Sequence, residues 1–203
     1  ETILMPRNVH ISVIKTCAMQ NILPLFFDLE FSTETGHYKP ITKIWLENVF
    51  KKLNSNVNKI VGVILVSPSY HGYAGDLESL IDCCHQRNLP VLVDEAHGSY
   101  FLFCENLNLP KPALSANADL VVNSLHKSLN GLTQTAVLWY KGDLINEGNL
   151  IKSINLLQTT SPSSLLLSSC EESIRDWLNK KSLSKYQKRI LEAKSIYIKL
   201  IQK

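Results

Sequence analysis

The sequence has no apolar run long enough to cross a bilayer, and nothing at its start has the build of a signal peptide. Neither a membrane span nor export is therefore expected. It has no C-x-x-C spacing, and its cysteines, Cys17, Cys83, Cys84, Cys104 and Cys170, are odd in number. That pattern argues against both a disulfide framework and a zinc site. Reduced thiols suit a cytoplasmic protein, and the adjacent Cys83 and Cys84 lie in a helical pattern as core packing. There is also no excess of one charge. The formal net charge is +3, and the basic residues gather in NKKSLSKYQKR, where they alternate with apolar ones at helical spacing. A solvated helix face explains them, and no nucleic-acid partner is expected. Repeats and low-complexity tracts are missing as well. With 45% hydrophobic and 19% charged residues, the 203-residue chain has material for one core of ordinary size, and wholesale disorder is excluded. Finally, there is no initiator methionine. ETILMPRN reads as a strand already under way, so the chain is expected to be a fragment.

The residues present alternate between two periodicities. TILM (2–5) is a short strand ended by Pro6. In NVHISVIKTCAMQ (8–20), Val9, Val13, Ile14 and Cys17 fall at helical spacing, with Asn8 as the expected cap. LPLFFDLEF (23–31) reads as a strand and ITKIWLENVFKKLN (41–54) as an amphipathic helix. KIVGVILVS (59–67) is a continuous β-branched run of the kind buried on both faces. A helix over 76–88, with Asp76 near its start, is followed by two more buried strands, 89–96 and 118–124. TQTAVLWYKG (133–142) is a further strand candidate, and the pattern turns helical from about residue 143. NKKSLSK (179–185) is the expected linker to a last helix. The division expected is a main domain over 1–178 and a linker with the start of a C-terminal region over 179–203. The alternation predicts an α/β fold, a mostly parallel sheet with helices on both faces.

In open α/β sheets, ligands sit beyond the carboxyl ends of the strands, so chemistry is expected just after residues 66, 93 and 122. SPSYHG (67–72) follows the first of these. Its small and aromatic residues suit a ligand, though Pro68 and Gly72 also suit a plain turn. DEAHG (94–98) follows the second. Asp94 begins where burial ends, and a buried carboxylate needs a cation or strong donors. A protonated pyridine nitrogen would serve, and Ala96 and Gly98 are small enough to let a flat ring lie close. Capping of the next segment by Asp94 and Glu95 is the plainer explanation. NSLHK (123–127) follows the third, with Ser124 as a phosphate donor and His126 beside Lys127. A lysine here is either solvated or held to bond a carbonyl cofactor. Three suitable strand ends together favour the second.

Taken together, SPSYHG, LVDEAHGSYF, ADLVVNSLHKSLNGLTQTAVLW and QTTSPSS, preceded by PRNVHISV, resemble the large domain of the bacterial Orn/Lys/Arg decarboxylases. These are pyridoxal-phosphate enzymes with the aspartate-aminotransferase fold. The similarity runs from about residue 5 to residue 170. It implies that Lys127 bonds the cofactor aldehyde and that Asp94 pairs with the pyridinium nitrogen. His10 would stack on one ring face and Ala96 on the other. Ser124 and His126 would contact the phosphate or flank the lysine, and His97 would lie near the ring edge. Thr159 would reach the phosphate of a neighbouring subunit, which implies a homo-oligomer. The reaction implied is decarboxylation of ornithine, lysine or arginine to an amine, with no metal.

The chain departs from the family in two places. The Gly/Ser/Thr phosphate loop would precede Glu1, and the C-terminal domain would follow the last helix, so the large domain is expected to be incomplete at both ends. Three rival readings follow. The same cofactor serves aminotransferases and aldolase-type lyases; a silent regulatory relative would lack chemistry; and a plain α/β domain would bind some other phosphorylated ligand.

Overall fold

The computed structural model describes residues 1–53, 59–104 and 107–201. A six-stranded sheet runs through it in the order β2-β1-β5-β6-β7-β8, formed by β1 (Thr2–Pro6), β2 (Leu23–Phe27), β5 (Ile60–Val66), β6 (Val91–Asp94), β7 (Leu120–Ser124) and β8 (Ala136–Tyr140). The pairs from β2 to β7 are parallel, and β8 closes the edge antiparallel to β7. The mostly parallel α/β reading thus holds, with the 133–142 segment as its antiparallel edge.

The two-faced burial explains the continuous apolar runs. Leu4, Val63, Leu65, Val91, Val93 and Val121 project to one face with Leu46, Phe50, Leu80 and Ile81 of α2 (Lys43–Leu53) and α3 (Leu77–His85). Met5 and Ile64 project to the other, against Cys17, Val13 and Ile14 of α1 (Ile11–Met19). Each such fully buried aliphatic side chain is worth about 1.5–3 kcal/mol. Cys83 and Cys84 are core residues, and burial pushes the Cys84 thiol up to about 12. Among the described residues no helix is long and apolar enough to cross a membrane.

Three local expectations change, and one falls partly outside the described residues. The first helix starts at Ile11, and its cap is His10, whose Nδ1 accepts from Ser12 N–H at 3.3 Å. Asn8 stays outside because Val9 N–H turns back to Pro6 O. The strand read over 23–31 stops at Phe27, and a small hairpin follows, β3 (Phe31–Ser32) and β4 (His37–Tyr38). Leu53 is the last described residue of α2, and position 54 of that expected helix lies outside the described residues. After α4 (Leu125–Ser128) and α5 (Glu147–Leu157) come α6 (Ser164–Leu178) and α7 (Lys180–Ile201). The expected linker is therefore helical from Lys180 onward. Only Asn179 interrupts, its Oδ1 accepting from Lys181 and Ser182 N–H and so starting the next helix at once.

One buried polar side chain pins the amino ends of two central strands. Asp119, 2% exposed, accepts Val91 N–H at 2.7 Å and meets His85 Nε2 at 2.8 Å at the end of α3. Asp119→Ala would leave a buried N–H without a partner and should cost about 2–3 kcal/mol, read as a lower midpoint in urea unfolding at neutral pH.

Candidate active site

The strand order reverses at β1 and β5, which opens a crevice beyond the carboxyl ends of the sheet. Four chain segments leave strands toward it. The first carries His10, exposed, with Nδ1 2.8 Å from Ser12 Oγ. Capping fixes that ring at the start of α1, so its orientation is set by helix geometry.

The second segment leaves β5 as Ser67 and Pro68. Ser69 N–H reaches Tyr73 O at 2.8 Å and Gly72 N–H reaches Ser69 O at 2.9 Å, forming a tight turn. The turn presents Tyr70, 82% exposed, edge-on to His97 with ring centroids 5.6 Å apart. His71 in the same turn stacks on His37 of the hairpin at 4.0 Å.

The third segment leaves β6. Asp94 Oδ1 accepts Ala96 N–H at 3.1 Å, so the acid does cap its own turn. Its Oδ2 has no hydrogen bond among those described. Ala96 is buried and His97 half-buried. Glu95 points the opposite way, into the interior, at 0% exposure.

The fourth segment leaves β7 and forms the single turn of α4. Lys127 is exposed, and its Nζ lies 3.2 Å from His97 Nε2. An ammonium can only donate, so Nε2 is the acceptor and the ring proton sits on Nδ1. The environment of His97 records how the cluster converges. Burial lowers its pKa first and the Lys127 ammonium next, with His10 adding to the fall and the Asp94 carboxylate opposing it. Lys127, Asp94 and His10 therefore all lie within electrostatic reach of one imidazole that is held neutral.

The remaining sequence candidates sit around this cluster or apart from it. Ser124 is buried and its carbonyl accepts from Ser99 Oγ at 3.2 Å. His126 is held by the loop before β8, with Nδ1 donating to Thr135 O at 2.9 Å. Thr159 is exposed between α5 and α6, its Oγ1 accepting from Ser161 N–H, in a purely local bond. The sequence gives no sign of Asn123 or of the interior role of Glu95, and it offers Gly98 only as room for a flat ring, whereas Gly98 packs against Pro68 and Glu95. Neither burial nor direction can be read from DEAHG alone.

The set suits a flat, aldehyde-bearing ring with a basic nitrogen. It offers an amine, a carboxylate with one oxygen to spare, a small buried residue and an imidazole at a helix start. A family model described as Orn/Lys/Arg decarboxylase, major domain, matches residues 1–201. The chain is 36% identical over 171 residues to an arginine decarboxylase of Bacillus cereus, covering 84% of this chain and 36% of that protein. It thus spans little more than a third of that relative's length. Among solved structures, an archaeal O-phosphoseryl-tRNA(Sec) selenium transferase matches at TM-score 0.69 and 16% identity, over 100% of this chain and 44% of that one. A pyridoxal-phosphate-bound C-S lyase of Staphylococcus hominis matches at TM-score 0.65 and 14% identity, over 98% of this chain and 48% of that one. These two likenesses show a shared fold. Pyridoxal phosphate is the cofactor of the matched decarboxylase family. With a match over nearly all of its residues, the chain belongs to the Orn/Lys/Arg decarboxylase family and forms part of its major domain.

Proposed function

We propose that the protein containing this chain decarboxylates a basic α-amino acid, with arginine as the first substrate to test. The observation that carries the reading is the convergence of Lys127, Asp94 and His10 on His97 at the strand ends. Arginine is favoured by relatives such as the arginine decarboxylases of Bacillus cereus and Bacillus subtilis, 36% and 34% identical to this chain.

In this reading Lys127 holds the cofactor covalently and Asp94 keeps its ring nitrogen protonated. His10 and Ala96 would hold the two ring faces, and Ser124 would contact the phosphate. When bound, the cofactor supplies a sink for the electron pair left by departing carbon dioxide. His97, neutral and 3.2 Å from Nζ, accepts from the amine and fixes its direction. Lys127, when not bonded to the cofactor, would be placed to return a proton to the substrate α-carbon. Thr159 completes a phosphate site across a subunit interface, so the working form is a homo-oligomer, and the compartment is the cytoplasm. The boundary between the cofactor domain and the C-terminal region falls at Asn179, where α6 gives way to α7.

Full-length protein supplied with pyridoxal phosphate and arginine should release carbon dioxide and agmatine, and more slowly or not at all with lysine and ornithine. A keto acid in place of carbon dioxide would mean an aminotransferase instead. Asp94→Asn should lower kcat by two to three orders of magnitude, equivalent to about 3–4 kcal/mol for a lost charge partner. Lys127→Met should raise the pKa of His97, because a neighbouring ammonium disfavours the imidazolium. Histidine NMR titration of the cofactor-free protein reads this shift directly.

A further inference from the structure

The mechanism makes no use of Glu95, yet Glu95 is a carboxylate at 0% exposure inside the turn that carries Asp94, Ala96 and His97. Its surroundings consist of donors. Ala113 N–H reaches Oε1 at 2.8 Å and Asn123 Nδ2 reaches Oε2 at 3.1 Å. The orientation of the Asn123 amide is not free, because Trp139 Nε1–H donates to its Oδ1 at 2.7 Å. The nitrogen must therefore face Glu95, where it also meets the Glu95 carbonyl at 3.1 Å. A glutamine at 95 could accept only one of the two side-chain bonds, so two donors facing one residue specify a carboxylate. Burial pushes this carboxyl up to about 7, opposed by Ala113 N–H and the Asn123 amide. A carboxyl buried at that cost, one residue from Asp94, calls for an explanation.

Position supplies one. The β6–β7 ladder ends at the pair Asp94–Val122. Beyond it, Glu95 N–H still reaches Val122 O at 3.0 Å, and the Glu95–Asn123 contacts carry the connection one residue further. Asn123 directly precedes Ser124 and the single helical turn of Lys127. The third strand end joins the same point. A Cβ on Gly98 would lie 2.7 Å from Pro68 Cδ and 2.8 Å from Glu95 Cγ, so only glycine lets the turn close onto both. Glu95 is thus in contact with, or one residue from, all three segments on which the site is built.

We propose that the Glu95–Asn123 bridge is a positioning device that holds the acid-bearing turn and the lysine-bearing strand end at a fixed spacing. Glu95 then serves the reaction through Asn123 without touching substrate or cofactor. This rests on the decarboxylase reading for its kinetic arm, and a second readout needs no cofactor. The variants are Glu95→Gln, Asn123→Ala and the pair together, in the full-length protein, each assayed well below its own melting temperature. Each single change should lower kcat by about 10- to 100-fold while KM for arginine moves less than about threefold, as expected when reacting groups shift by a fraction of an ångström. The double variant should fall no further than the weaker single one, because both changes break one connection. In the cofactor-free protein, reductive methylation of Lys127 by formaldehyde and cyanoborohydride, read by mass spectrometry against exposed Lys15, should change in rate by at least about threefold.

A kcat within twofold of wild type in folded variants, with Lys127 methylation unchanged, would overturn the proposal, whatever happens to the melting temperature. So would losses that multiply in the double variant. Should E95Q fail to fold, N123A decides by the same readouts; failure of both to fold overturns the proposal, since the bridge is then a fold element alone. If wild type decarboxylates nothing, the functional reading fails while the methylation result still judges the bridge.

Discussion

The site depends on the parallel register of three central strands. Val66, Asp94 and Val122 pair across β5, β6 and β7, so the strands end nearly flush. A parallel ladder delivers all carboxyl ends to one edge, and the residues that follow leave the sheet side by side. Asp94 is the last residue of one strand, and Lys127 is three residues past the end of its neighbour. Residues 33 positions apart in sequence thereby come to share one imidazole. A one-residue slip of β6 against β7 would turn the Asp94 carboxylate to the opposite face. Burial of Val93 and Val121 on one side and Leu92 on the other makes that slip costly.

Polar anchors reinforce the register at both ends of the β6–β7 pair. Asp119 ties the start of β7 to the start of β6 and to α3, while Asn123 ties the end of β7 to the turn after β6. The two anchors solve the same problem by opposite means. At the amino end a buried carboxylate collects donors that would otherwise have no partner. At the carboxyl end an amide distributes itself between an acceptor and a donor, Glu95 and the Trp139 indole. Such networks are specific because each member has one arrangement that satisfies all the others.

How much of this the sequence reveals follows from the physics of each element. KIVGVILVS and ADLVVNS are legible as strands because burial on both faces demands continuous apolar residues, and no helix of ordinary amphipathic type has that pattern. The hairpin over 31–38 is not legible, since strands of two residues have no periodicity to detect. The sequence points to a cap of α1 two residues early. Asn8 has the better capping propensity, but the turn of Val9 back to Pro6 decides where the helix begins. NKKSLSK looked like a linker from its composition, yet one asparagine with two backbone bonds starts α7 at once. The topology rule puts Asp94 and Lys127 at neighbouring strand ends, while the approach of Lys127 to His97 is visible only in three dimensions. The division of labour between Asp94 and Glu95 was the least legible of all. The two acids are adjacent in sequence and point to opposite sides of one turn, and strand alternation gives that result only once the last ladder residue is known.

Side chains at the candidate site and the groups that support them differ systematically in burial. Lys127, His10 and Tyr70 are exposed, while Leu125, Val9 and Ser67, one to three residues from each, are buried. Asp94 lies between Val93 and Glu95, both at 0% exposure. In the proposed reaction one amine must leave a bond and later deliver a proton, which needs a side chain that can move. It also needs a backbone that cannot, because the gain from orientation is lost when the attachment point drifts. Fixing the anchors in the core and leaving the reactive atoms at the edge meets both demands. The lysine can exchange partners within reach of His97 while the strand end beneath it, pinned through Leu125, Ser124 and Asn123, keeps its place.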